Sequence, residues 1–242
     1  MKPNLRKYAA ELLRPTFLKG RLGRIVGETI EEWGLRVAYA GKVSRWLMEN
    51  PLEPQFDTRY TLYQHVIDST DLSGPITYLE FGVATGRSIA WWVENNTHEE
   101  SKLYGFDCFT GLPEKWYWHP KGTFDQGGMT PDIDDTRVSW VEGYFQNTLQ
   151  AFIRSHDLDQ RLVVHLDADL FTSTHFVLGS LAPHLKPNDI IIFDEFTRLT
   201  DATHEFRAFH DFVTAYGMKF SVLGASGGYV QVAMRVDSMA GA

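Results

Sequence analysis

The sequence predicts an α/β fold: a mostly parallel sheet of seven strands with an antiparallel edge strand, helices on both faces and a helical extension at the N-terminus. Three observations predict it. From Ile76 onward, short apolar runs alternate with segments of helical spacing, the pattern of a parallel sheet wrapped by helices. Acids stand where several of those runs end, at Asp107, Asp167 and Asp194, and open α/β sheets bind ligands at strand C-termini. The last two runs have no helix between them, so they pair antiparallel at one edge.

The elements follow in order. Leu5, Tyr8, Ala9, Leu12 and Leu13 recur near helical spacing, and Ile30, Trp33, Val37, Ala40, Val43 and Leu47 repeat it across residues 29–48. Pro51 and Pro54 then break the pattern. Residues 1–55 are therefore expected to form a helical extension, packed on the main domain or on a second subunit, and residues 56–242 the main domain. Strands are expected at 76–81, 102–106, 138–142, 162–166, 189–193, 219–223 and 229–234. Helices are expected at 60–69, 87–94, 146–155, 174–184 and 202–215. Residues 108–136 carry neither period and exceed an ordinary connection.

The bulk properties narrow the function. The chain has 242 residues, 43% hydrophobic and 22% charged, enough for one domain with a full core. A net charge of −8 argues against a nucleic-acid partner, which calls for a basic face. Cys108 is the only cysteine, so neither an intramolecular disulfide nor a thiolate metal cluster can form, and a reducing cytoplasm is the expected compartment. The N-terminus is basic, with Lys2, Arg6, Lys7, Arg14, Lys19, Arg21 and Arg24 against Glu11 and Glu28. No apolar run there suits a signal peptide or membrane span; a solvated appendage or a homo-oligomer contact through these helices is expected.

Leu79 to Ser88 reads L-E-F-G-V-A-T-G-R-S, a strand entering a glycine turn and a helix, which is a ligand cradle in α/β sheets. A nucleoside triphosphate loop needs Gly-Lys-Ser/Thr, which is absent. A dinucleotide loop needs G-x-G-x-x-G, but Ala84 stands at the second glycine position. S-adenosylmethionine has no phosphate and is the remaining ligand. Glu80 is then expected beside its amino group, with Gly82, Thr85, Gly86 and Ser88 around it. Asp107 ends the next strand, 21 residues after Gly86, where a carboxylate accepts from both ribose hydroxyls. Cys108 follows it. Glu142 and Gly143, ending the third strand, are expected to border the adenine.

His165-Leu-Asp167-Ala-Asp169 closes the fourth strand and Asp194-Glu195 the fifth. If those strands are neighbours, their ends lie about 5 Å apart. Three converging carboxylates repel and invite a divalent cation, Mg²⁺ or a similar hard ion, held by Asp167, Asp194 and Glu195. Such an ion would orient a substrate hydroxyl in line with the sulfonium methyl, and Asp167 would take its proton as general base. The competing readings are helix capping by these acids, a glycosyltransferase using Asp167-Ala-Asp169 as a D-x-D motif, and a non-catalytic binding module. His165 reads as a half-buried strand residue.

L-E-F-G-V-A-T-G-R-S, G-F-D-C-F-T-G-L-P (105–113), H-L-D-A-D-L-F-T-S-T (165–174) and I-I-F-D-E-F (191–196) resemble the macrocin O-methyltransferase family. That family comprises class I, Rossmann-like methyltransferases dependent on S-adenosylmethionine and Mg²⁺, best known for methylating sugar hydroxyls of macrolide antibiotics in secondary metabolism. The resemblance spans roughly residues 60–235. It implies a cofactor loop at Glu80, Gly82 and Gly86, a ribose-binding acid at Asp107, a metal ligand and base at Asp167, and further metal ligands at Asp194 and Glu195. Glu195 departs from the expected Asp-Asp pair, and Cys108 stands where serine is common. The acceptor would be a small hydroxylated molecule, a sugar or polyketide-type metabolite. In the loop, Trp116, Tyr117, Trp118, His119 and Phe124 could cover an adenosyl group, stack on a sugar or pack onto the domain, with Gly127 and Gly128 as hinges of a lid.

Overall fold

β2 (Ile76–Phe81) is buried along all six residues and lies deep in the sheet, with β5 (Arg161–Leu166) on one side and β3 (Lys102–Asp107) on the other. The structure, a computed structural model, describes residues 21–197 and 202–240, with side chains from residue 33 onward. The apolar pattern of residues 5–13 lies outside the described residues, as do the basic side chains between Lys2 and Arg24.

Around this centre the sheet extends to eight strands. β1 (Gln55–Phe56), β4 (Val138–Glu142), β6 (Ile190–Phe193), β7 (Lys219–Ser226) and β8 (Gln231–Ser238) complete it in the order β1-β7-β8-β6-β5-β2-β3-β4. The α/β class stands, with two corrections. The sheet has eight strands because the two-residue β1 pairs parallel with Ala225 and Ser226, a segment too short to show a period. The antiparallel strand is not at an edge: β8 lies between β6 and β7 and runs against both. Gly224, in the gap between the expected strands 219–223 and 229–234, lies within β7 at an irregularity in its register with β8.

Two apolar layers enclose the sheet, because successive strand side chains point to opposite faces. On β6, Ile190 and Ile192 join one layer, and Ile191 and Phe193 join the other. The first layer contains α2 (Arg59–Thr70) and α3 (Arg87–Asn95), through residues such as Leu62, Tyr63, Val66, Ile89 and Trp92. The second contains α4 (Phe145–Ser155), α5 (Phe171–Leu181) and α6 (Glu205–Tyr216), through Leu149, Phe152, Val177, Leu178, Phe206 and Phe209.

The long helix α1 (Arg21–Glu49) packs on this second layer. Leu35, Tyr39, Val43, Trp46 and Leu47 recur at helical spacing and meet the core, and the Trp46 ring contacts Phe196, Phe206, Phe209 and Phe220. Trp33 and Val37, one turn apart on another face, are 67% and 68% exposed.

At the N-terminal end of the sheet, Asp189 holds two strands in place. Its carboxylate accepts from the backbone of Leu162 (2.9 Å) and Lys186 (2.7 Å). Burial raises its pKa to about 6, outweighing those two hydrogen bonds. A carboxyl whose folded pKa lies above its unfolded value stabilises the fold fully below about pH 4, and that contribution is lost as pH rises through about 6. Asp189→Asn removes this dependence. Its stability relative to the parent, from urea titrations at pH 4 and 7.5, is expected to improve by roughly 3 kcal/mol at the higher pH; an unchanged difference would refute the assignment.

Candidate active site

A cavity of about 460 Å³ opens at the C-terminal ends of β2, β3, β4, β5 and β6, within the usual range for a small-molecule site. Its lining includes Gly82, Ala84, Asp107, Cys108 and Gly143 on one side, and Arg59, Asp167, Asp169, Asp194 and Glu195 on the other. Residues far apart in sequence meet here because parallel strands bring their C-termini to one edge.

The glycine turn is shaped by tight contact. Gly82 has φ +95°, and a Cβ there would stand 1.9 Å from the backbone oxygen of Asp167. Glycine at this position thus lets the ends of β2 and β5 touch, and brings the cradle to the acidic side. At Gly86 (φ +76°) a Cβ would stand 2.7 Å from the Pro131 side chain, so this glycine admits the 108–137 loop. Ala84, where a dinucleotide loop would have glycine, adopts φ 46°. Phe124 (φ 69°) and Asp169 (φ 59°) also line the cavity with left-handed backbones. Such conformations cost of order 1–3 kcal/mol each and collect at functional sites.

Asp107 fastens the cradle. Its Oδ2 accepts from Val83 N (2.8 Å) and Ala84 N (2.9 Å), and its Oδ1 accepts from Phe109 N (2.8 Å). An ionised carboxylate has about four acceptor positions, so one remains for a ligand hydroxyl. Cys108 directs its thiol to Gly111 O at 3.2 Å. Gly143 N donates to Asp107 O, which joins the ends of β3 and β4.

Five expected cofactor residues lie outside the cavity lining. Gly86 and Ser88 are buried outside the cavity lining, and Thr85 and Glu142 are exposed outside it. Glu80 is the clearest departure. It is 1% exposed and points, like Tyr78, into the layer beneath α2 and α3. There its carboxylate accepts from the Tyr78 hydroxyl (2.5 Å) and lies 3.7 Å from His165 Nδ1. Glu80 and His165 are register partners on adjacent strands, so strand parity sends both to this layer. The expected approach of Glu80 to a cofactor amino group is replaced by a buried ion pair.

His165 is fully buried rather than half-buried. The Tyr78 hydroxyl lies 2.7 Å from Nδ1 and the Tyr63 hydroxyl 3.2 Å from Nε2. Burial alone would lower its pKa; contacts with Asp194 and Glu80 outweigh burial and raise it to about 9. His165 thus sits directly behind Asp194, with Nε2 3.9 Å from Asp194 Oδ1.

On the acidic side, the expected neighbours do meet. β5 and β6 pair through Leu166 and Phe193, which sets Asp167 beside Asp194. Between them stands Arg59, which the sequence analysis did not single out. Its Nη1 is 2.9 Å from Asp194 Oδ1 and 4.0 Å from Asp167 Oδ2. Arg59 is the first residue of α2, directly after the N-cap Thr58, whose capping box with Thr61 fixes the helix start. Burial alone would lower the Arg59 pKa, but Asp194 and the surrounding groups raise it.

Burial and the charges of Asp194 and Asp169 push the Asp167 carboxyl well above its usual range, against His165 and Arg59. About a third of its side chain (31%) still faces the cavity, so water moderates the effect. Glu195 lines the cavity, and its backbone N–H donates to the buried Glu205 carboxyl at 2.9 Å. Burial raises the Glu205 pKa well above the usual value.

The expected three-carboxylate metal group is not formed: among the described residues, no cluster of three His, Cys, Asp or Glu side chains is arranged to hold an ion. The donor set also fits an added Mg²⁺ poorly. Asp194 already faces the Arg59 guanidinium at 2.9 Å, and an ion bound to it would be repelled by that charge.

The 108–137 loop forms a wall over the cavity. Trp116, His119 and Phe124 face the space, with the Trp116 and His119 rings stacked. Leu112 and Trp116 pack on Leu170, and Thr172 Oγ1 donates to Glu114 Oε1 at 2.8 Å. The Arg36 guanidinium of α1 lies over the Tyr117 ring at 4.9 Å. Trp118 is 75% exposed. Of the uses considered for these aromatics, packing onto the domain is therefore realised at Trp116 and Tyr117. Tyr144, Phe145 and Gln146 complete the wall; no motif marked them, but they directly follow Gly143 at the start of α4.

Residues 79–196 match the methyltransferase-domain family. A Streptomyces olivaceus protein, 8-demethyl-8-(2,3-dimethoxy-alpha-L-rhamnosyl)-tetracenomycin-C 4'-O-methyltransferase, is 30% identical over 89 residues, 36% of this chain and 31% of that protein. The matched part thus spans about a third of the curated relative's length. Among solved structures, the calicheamicin methyltransferase CalS11 superposes with a TM-score of 0.57 at 19% identity, over 82% of this chain and 91% of that one. An O-methyltransferase from Bacillus cereus in complex with SAH gives 0.52 at 13% identity, over 83% and 91%. The O-methyltransferase NovP gives 0.51 at 15%, over 74% and 80%. At these identities the likeness is one of fold, and that fold is the Rossmann-like methyltransferase fold.

Proposed function

We propose that this protein is an S-adenosylmethionine-dependent O-methyltransferase acting on a hydroxyl of a small molecule, a sugar or polyketide-type metabolite. The carrying observation is one cavity that joins the methyltransferase-domain cradle of Gly82, Ala84 and Asp107 to the acid pair of Asp167 and Asp194. In this reading Asp107 accepts a ribose hydroxyl at its remaining position. Gly143 to Gln146 border the adenine, and Trp116, His119 and Phe124 cover the acceptor. Asp167 takes the acceptor proton as general base, and its raised pKa suits that task. The four motifs that resemble the macrocin O-methyltransferase family, and the relative named for 4'-O-methylation of a rhamnosyl tetracenomycin, favour a sugar hydroxyl.

Mg²⁺, expected from that resemblance, would call on Asp167, Asp194 and Glu195. As placed, these residues do not fit it, and no step is assigned to the ion. A glycosyltransferase using Asp167 and Asp169 would leave the cradle without a role. Among the described residues, no helix is long and apolar enough to cross a membrane. The exposed Trp33 and Val37 face of α1 is the surface we assign to the expected homo-oligomer.

Calorimetric titration tests the reading. S-adenosylhomocysteine is expected to bind with a micromolar Kd and a nucleoside diphosphate sugar not to bind; the reverse would sink the methyltransferase proposal. Asp107→Ala checks the cradle. It would leave the Val83, Ala84 and Phe109 N–H groups without their acceptor, at about 1–3 kcal/mol for each buried one. S-adenosylhomocysteine affinity is expected to fall by roughly a hundredfold or more. Retained affinity would show that the loop stands without Asp107.

A further inference from the structure

We propose that the Arg59 guanidinium is the resident cation of this site. It bridges Asp194 and Asp167 and donates a hydrogen bond to the acceptor oxygen, so that methyl transfer proceeds without a divalent metal. The inference rests on the O-methyltransferase reading above and names the group that handles the acceptor.

Geometry carries it. Arg59 Nη1 reaches both acids, at 2.9 and 4.0 Å. The side chain keeps 33% of its surface open and lines the cavity. A guanidinium has five N–H donors in a planar fork and stays charged at any working pH. With Nη1 in an ion pair with Asp194, the fork still has donors to aim at a ligand. The anchor is firm, because Arg59 begins a helix whose start is fixed by the Thr58–Thr61 capping box. Behind Asp194 the buried His165 ring closes the site, with Nε2 at 3.9 Å from Asp194 Oδ1.

The chemistry balances with these groups. The acceptor hydroxyl gives its proton to the Asp167 carboxylate as its oxygen attacks the methyl carbon. The O–CH₃ bond forms and the C–S bond breaks. Its electron pair goes to sulfur, which converts the sulfonium to neutral S-adenosylhomocysteine. Arg59 is unchanged throughout; its N–H stabilises negative charge developing on the oxygen and lowers the pKa of the hydroxyl. Asp167 then returns its proton to water.

Mn²⁺ serves as a probe that needs no acceptor. In the presence of saturating S-adenosylhomocysteine, the electron paramagnetic resonance spectrum of free aqueous Mn²⁺ is expected to persist when the wild-type protein is added at 100 µM, roughly, with no binding tighter than about 1 mM. Arg59→Ala, which frees both acids, is expected to bind Mn²⁺ at least tenfold more tightly. Micromolar Mn²⁺ binding by the wild type would overturn the proposal by itself, even if Arg59→Ala fails to fold. Turnover gives the second readout, with an acceptor found by screening glycosides with a labelled methyl donor. EDTA is expected to change the rate less than twofold, Arg59→Ala to lower kcat about a hundredfold, and Arg59→Lys to recover part of it. Loss of turnover in EDTA with rescue by Mg²⁺ would overturn the inference while leaving the methyltransferase reading intact. Failure to bind S-adenosylhomocysteine would instead overturn that underlying reading.

Discussion

Asp167→Asn is expected to lower kcat by about 10²–10⁴-fold, the usual contribution of a positioned general base, while S-adenosylhomocysteine affinity stays within about threefold. The substitution is nearly isosteric, and the backbone contacts that place the residue survive. Asp167 N still donates to Phe81 O at 2.9 Å, and Gly82 still packs against its carbonyl. The acid pair keeps Asp194 as the partner of Arg59, so the cavity wall retains its shape. What disappears is the group that can accept a proton. Single-turnover measurements with labelled methyl donor separate this from slow product release. An unchanged rate would remove Asp167 from the proposed mechanism. A matching loss of cofactor affinity would make it a structural residue of the cradle.

Gly82→Ala is expected to destroy the cradle. The added methyl would lie 1.9 Å from the Asp167 oxygen and 2.7 Å from its carbonyl carbon. Both are backbone atoms at the end of a buried strand, so no side-chain rotation relieves the clash. Overpacking costs about 1–3 kcal/mol, and a left-handed backbone roughly 1–2 more for an L-residue. A loss of about 2–5 kcal/mol corresponds to a fall in Tm of roughly 10 °C for a domain of this size. S-adenosylhomocysteine binding should drop by more than about a hundredfold, because strand ends pushed apart no longer share one cavity. Gly86→Ala is the control. Its methyl would meet the Pro131 side chain at 2.7 Å, in a loop that can yield, so its thermal shift should be clearly smaller. Equal shifts would show that backbone strain alone, rather than the contact between β2 and β5, sets the requirement at Gly82.

Much of this architecture is local information. β2 and β4 fall on the expected residues 76–81 and 138–142, because bounded apolar runs define strands without outside help. The helices at 59–70 and 145–155 begin within a residue of expectation. β1 was not legible, since two residues carry no period. The place of β8 was not legible either: the sequence shows that the last two strands form a hairpin, but not which of them meets β6.

The site divides along the same line. Strand-end acids and the glycine turn were visible because each is a local event: a strand stops, the chain turns and a carboxylate follows. That put Gly82, Asp107, Asp167 and Asp194 at one mouth. The direction of Glu80 was not visible, because β2 is buried on both faces and its six residues give no apolar–polar alternation to read. Only the sheet register, which sets Glu80 opposite His165, decides that it points inward.

The sequence by itself determined the class of fold, the ligand end of the sheet and the acids that gather there. Only the tertiary structure decided what balances those acids. Arg59 lies far from Asp167 and Asp194 in the chain and carries no motif of its own. It reaches them because α2 packs mainly on β7, and also on β1 and β8, with its N-terminus at the cavity. Which charge faces a buried carboxylate is a property of packing, and a linear pattern of residue types does not encode it.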